Sequence, residues 1–115
     1  MSTVSVTWFD SEAVWRAAEA HARALAARYP EIEEIIVFGS LARGTAVPGS
    51  DVDLLIVLER SDLRFLDRIP AFLPGPFPCG VDVFPYTRAE LERMRGEGNS
   101  LIAAALREGR TVFRR

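Results

Sequence analysis

The stretch that decides the fold runs Ile35-Ile36-Val37-Phe38-Gly39-Ser40-Leu41-Ala42-Arg43-Gly44 and resumes, after a short loop, with Ser50-Asp51-Val52-Asp53-Leu54-Leu55-Ile56-Val57-Leu58. Ile35 to Phe38 is apolar on both faces, as an interior strand is. Gly39-Ser40 follows at once and opens a short helical turn over Leu41 to Arg43. A loop with Gly44, Pro48 and Gly49 then leads into a second strand from Asp51 to Leu58. Side chains alternate along a strand, so Asp51 and Asp53 point the same way, roughly 7 Å apart. Two like charges that close are costly unless a cation lies between them, and an all-oxygen donor set suits Mg²⁺ or Mn²⁺. Gly39 allows close backbone approach of a ligand, and the free amides that open a helical turn favour anions. A polyphosphate on those amides, with its metal ions on Asp51 and Asp53, is the occupant this arrangement suggests.

Working outward, residues 2–9 alternate, with Val4, Val6 and Trp8 on one side, and predict an N-terminal arm or edge strand over residues 1–10. A helix capped by Asp10 or Ser11 carries the stripe Val14, Ala18, His21, Ala22 and Leu25, and ends before Pro30. Glu31, Glu33 and Glu34 read as solvated charge just ahead of the first strand. Downstream, Ser61 can cap a helix over about 62–69 that Pro70 closes. A third strand, Val81 to Phe84, holds Asp82 inside an otherwise apolar run, and Thr87-Arg88-Ala89-Glu90 is a capping box. A last helix starts at Ser100 and ends near Gly109, and Thr111-Val112-Phe113 adds a short edge strand. The pattern predicts an α/β (α+β) fold: one small mixed sheet flanked by helices. Beside the second strand, Asp82 could complete a three-carboxylate site for two metals about 3.5–4 Å apart; the lesser reading is an edge-strand residue that faces water.

Composition removes several chemistries. With 115 residues the chain is the size of one domain, residues 1–115, with residues 11–113 as its core. One cysteine, Cys79, and one histidine, His21, leave no disulfide and no thiolate or multi-histidine metal cage within the chain. All 14 basic residues are arginine, so no Walker-type lysine and no Schiff base is available. A net charge of −2 supplies no electrostatic reason to expect nucleic acid. Neither a signal peptide nor a membrane-spanning run is visible, so the expected location is cytoplasmic and no membrane partner is expected.

The ordered set of Gly39-Ser40, a spacer, Asp51-x-Asp53 and a later lone Asp82 resembles the signature of the DNA polymerase β-like nucleotidyltransferases. The leading helix, the Ala42-Arg43-Gly44 segment and the closing Arg107-Glu108-Gly109-Arg110 make the chain similar to the minimal nucleotidyltransferases, the MNT group, over residues 11–113. That resemblance implies ATP as substrate, two Mg²⁺ ions, and attack of an acceptor hydroxyl on the α-phosphorus. Gly39 and Ser40 would hold the triphosphate, and Asp51 and Asp53 both metals. Asp82 would ligate the catalytic metal, and Arg43 would make a weaker phosphate contact. It further implies an antitoxin that pairs with a HEPN-domain toxin and adds AMP to it. A partner or a second copy is expected to complete the pocket, as a homo- or hetero-oligomer. Three rivals stand beside this reading: a module that neutralises its partner by contact alone, a small-molecule nucleotidyltransferase of antibiotic type, and a structural oligomer without a ligand. On the bland side, Arg43 reads as a surface or ion-pairing arginine, His21 as a satisfied half-buried histidine, and Cys79 as inert.

Overall fold

The computed structural model describes residues 9–115. Asp10 caps the first helix, α1 (Ser11–Arg28), by accepting a 3.0 Å hydrogen bond from the Ala13 amide. The chain continues as β1 (Ile32–Phe38), α2 (Ser40–Arg43), β2 (Val52–Leu58), α3 (Phe65–Phe72), β3 (Val81–Thr87), α4 (Arg88–Gly96), α5 (Ser100–Glu108) and β4 (Arg110–Arg114). Four strands form one mixed sheet in the order β3-β2-β1-β4. The β1–β2 and β1–β4 pairs are antiparallel, and β2–β3 is parallel. The arm expected over residues 1–10 lies, apart from Phe9 and Asp10, outside the described residues.

Strand alternation divides the core into two layers. Ile35 and Val37 of β1 and Leu54, Ile56 and Leu58 of β2 pack against Val14, Ala18, Ala22 and Leu25 of α1. Ile36, Phe38, Leu55 and Val57 face the other way, against Leu91 of α4 and Ile102 and Ala105 of α5. Both central strands are therefore buried on each face, which is why their sequence is a continuous aliphatic run. By the same alternation Asp51 and Asp53 share the face of Leu55 and Val57, and Asp82 that of Phe84 and Tyr86. All three carboxylates thus lie on the α4–α5 side of the sheet, at the end where β2 and β3 begin.

Several sequence expectations are corrected. The helix predicted at 62–69 runs from Phe65 to Phe72 with Pro70 inside it. Ser61 instead accepts from the Leu63 amide in a turn, and burial of Arg68 and Phe72 holds the helix past the proline. The third strand continues through Pro85 to Thr87. Proline is tolerated there because β3 is an edge strand and the Pro85 carbonyl accepts from Arg68 rather than from β2. Glu33 and Glu34 are not solvated charge ahead of a strand: they lie within β1. Glu34 is only 12% exposed and is held by Arg114 at 2.8 Å.

Candidate active site

Gly39 joins β1 to α2 at φ +80° and ψ −155°, a region that side chains other than glycine's scarcely enter. A Cβ at Gly39 would also run into the Asp53 carboxylate. Glycine therefore lets the start of α2 close over Asp53, which pairs across the ladder with Phe38. Gly80 does the same for Asp51, since a Cβ there would collide with the Asp51 carboxylate, and the Gly80 carbonyl accepts from the Val52 amide at 2.9 Å. Motif reading passed over Gly80. Its only signal was the glycine immediately ahead of Val81-Asp82.

Gly39, Asp51 and Asp53 border a cavity of about 450 Å³. Gly39, Ser40, Arg43, Asp51 and Asp53 form one wall, and Ser100, Leu101 and Ala104 of α5 the other. The α5 wall was also missed, because Leu101 and Ala104 at i,i+3 spacing look like any helix face. Asp82 is aligned with Asp53 in the parallel ladder but is exposed and stands outside the cavity lining. Among the described residues no three His, Cys, Asp or Glu side chains are gathered as a metal-holding group. A larger hollow, about 620 Å³, lies at the far end of β1 and β2. Glu31, Glu59 and Asp62 line it with a single arginine, Arg60, a poor setting for an anion.

Burial, then the neighbouring charges of Asp82 and Asp51, push the Asp53 carboxyl up to about 6, with Arg43 acting against them. Crowded, partly desolvated oxygen donors of this kind fit a hard divalent cation, which would relieve the repulsion. The donors present are Asp51 and Asp53, with Asp82 one strand away. Arg43 is half-exposed, and its guanidinium lies 3.5 Å from the Glu108 carboxylate, the ion-pairing role its bland reading gave it.

The remaining candidates are accounted for by packing. His21 Nε2 donates to the Phe72 carbonyl at 2.7 Å and lines no part of the cavity. Burial and Asp51 push the Cys79 thiol up, away from reactive thiolate. Trp15 is half-buried under the Arg110 guanidinium, 4.3 Å from its ring centroid. No helix among the described residues is long and apolar enough to cross a membrane.

Comparison with known proteins places the fold and the family. A protein of Methanocaldococcus jannaschii named "Putative protein adenylyltransferase" is 53% identical over 38 residues, 33% of this chain and 26% of that protein. The match thus spans about a quarter of that relative's length. Among solved structures, a "putative nucleotidyltransferase" from Sulfolobus solfataricus superposes with a TM-score of 0.63 at 23% identity, covering 96% of this chain and 94% of that one. A crystal structure of "the toxin-antitoxin with AMP-PNP" superposes with a TM-score of 0.54 at 17% identity, covering 84% and 73%. At those identities both establish the fold. Residues 18–109 match the family model described as Nucleotidyltransferase domain, and the chain belongs to that family.

Proposed function

We propose that the protein is an Mg²⁺-dependent nucleotidyltransferase that transfers AMP from ATP to a hydroxyl of a partner protein, a HEPN-type toxin that it thereby neutralises. The observation that carries this reading is the single cavity bordered by Gly39-Ser40, Arg43 and the Asp51–Asp53 pair. The printed names of the adenylyltransferase relative and of the nucleotide-bound toxin–antitoxin support the same direction.

In this mechanism the acceptor oxygen bonds to the α-phosphorus, the bridge from that phosphorus to the β-phosphate oxygen breaks, and pyrophosphate leaves with the electron pair. First-turn helix amides have no partner inside their helix, so those of Ser40 and Leu41 are free for the triphosphate oxygens, with the Ser40 hydroxyl beside them. Asp51 and Asp53 would hold the divalent ions, and Asp82 would complete the donor set. When bound, those ions offset phosphate charge and lower the pKa of the acceptor hydroxyl. Asp82, exposed on the edge strand, accepts the hydroxyl proton. Arg43 faces the departing pyrophosphate.

The test is co-incubation of the protein with its candidate toxin, ATP labelled at the α-phosphate, and Mg²⁺. Label and a mass increment of one AMP should appear on the toxin, and both should vanish with Asp53→Asn. A labelled toxin with the Asp51→Asn/Asp53→Asn variant, or an unlabelled toxin with the wild type, would overturn the reading. A double variant that still neutralises the toxin would assign neutralisation to contact alone.

A further inference from the structure

Glu108 is the last residue of α5, and nothing in the motif gives it a role. Its two carboxylate oxygens are in unequal positions. Oε1 accepts a 3.1 Å hydrogen bond from Arg107, whereas Oε2 is shut off from solvent and has no hydrogen-bond partner among the described residues. The cation facing Oε2 is Arg43, with Nη1 3.5 Å away, longer than a good hydrogen bond. Glu108 cannot readily retreat. A Cβ on the next residue, Gly109, would strike the Ala105 carbonyl, the Ile36 side chain and the Val37 carbonyl, so the end of α5 is seated directly on β1.

Arg43 has a choice of carboxylates. It lines the same wall as Asp51 and Asp53, close enough for its charge to lower the Asp53 pKa, yet no ion pair joins it to either. An arginine left free beside two crowded carboxylates would fold onto them and take the oxygens a divalent cation needs. We infer that Glu108 is a positioning residue that holds Arg43 at the rim of the cavity, off the Asp51–Asp53 pair and with its remaining N–H groups free for an anionic substrate tail. The long contact suits this purpose, being attractive enough to select a place for the guanidinium and loose enough to let it reach a phosphate. The substrate half of this inference rests on the function proposed above, while the restraint on Arg43 and the protection of the carboxylates do not.

The experiment therefore begins without nucleotide. Mn²⁺ alone is titrated into wild type, Glu108→Gln, Glu108→Asp and Arg43→Ala/Glu108→Gln, and the Arg43 Nε–H signal is followed by NMR in the metal-free proteins. Loss of one weak charge pair should lower the Mn²⁺ affinity of Glu108→Gln about fivefold. Glu108→Asp should recover part of that loss, and removing Arg43 as well should restore it fully. The Arg43 signal should move on Glu108→Gln and lie nearest its wild-type position in Glu108→Asp. An unchanged Arg43 signal in Glu108→Gln overturns the inference, as does a Mn²⁺ loss that persists without Arg43. In the transfer assay, Glu108→Gln should lower kcat more than it changes KM for ATP, a split that a merely structural role would not produce. A wild type that transfers no label fails the proposed function but leaves the Arg43 and Mn²⁺ results to decide the restraint.

Discussion

Two half-buried carboxyl groups at opposite ends of the sheet have been driven in opposite directions. At the start of β2, Asp53 is surrounded by rivals, and burial with Asp82 and Asp51 raises it to about 6. At the far end of β3, the hydrogen bond from Arg68 leads the effects that hold Glu90 down at about 2, against the cost of burial. Glu90 takes both Arg68 nitrogens, at 2.6 and 3.0 Å, and the Thr87 amide at 2.8 Å. Arg68 spends its other donors on the Pro85 and Leu63 carbonyls. Every polar group there is satisfied from within the chain. The contrast separates a carboxylate that completes the fold from one that waits for something else: the first has been supplied with donors, and the second with more negative charge, which Arg43 offsets only in part.

The largest effect should come from breaking the satisfied end. Arg68 is 4% exposed, so Arg68→Met leaves Glu90 with the Thr87 amide alone and takes the arginine's donors from the Pro85 and Leu63 carbonyls. Loss of one partner of a buried pair costs about 3–5 kcal/mol. Equilibrium urea unfolding should show that loss, and a cost below about 1 kcal/mol would place the pair among ordinary surface bridges.

The acid limb comes next. A carboxylate whose folded pKa lies below its unfolded value adds stability that is complete above the unfolded pKa and is lost as pH falls toward the folded one. For Glu90 that window runs from 4.5 down to about 2. Glu90→Gln keeps a side chain able to close the capping box with Thr87 but removes the charge facing Arg68. Wild type should therefore exceed Glu90→Gln by about 2–3 kcal/mol at neutral pH, and the two should converge near pH 2. A gap independent of pH would mean that shape, not charge, holds this end together.

How much of this was legible beforehand follows from distance along the chain. Gly39, Ser40, Asp51 and Asp53 lie within one strand–turn–strand unit, so local rules sufficed to bring them together, and the β2–β3 ladder adds Asp82 beside Asp53. The Thr87–Glu90 box was readable for the same reason and is present. Arg68 and Glu90 come from different helices, and no spacing rule joins them. Glu33 and Glu34 looked solvated because β4 and Arg88, which make their burial tolerable, arrive more than fifty residues later. The α5 wall and Glu108 depend on how one helix is seated on β1, which only tertiary packing decides.

The smallest effect should have the opposite sign. Asp53 has a folded pKa above its unfolded value, so its ionisation opposes folding, increasingly as pH rises from about 4 to about 6. Asp53→Asn removes that charge while keeping the shape, and in the presence of a chelator at pH 7.5 it should raise stability by about 1–2 kcal/mol after allowance for solvent screening. In a domain of this size that is a Tm increase of several degrees, read by calorimetry. Adding Mg²⁺ should then invert the ranking, since ligand binding to the native state stabilises wild type and has less to hold in the variant. A variant less stable than wild type in chelator would show that Asp53 holds the fold together as Glu90 does. The two ends of the sheet would then be alike.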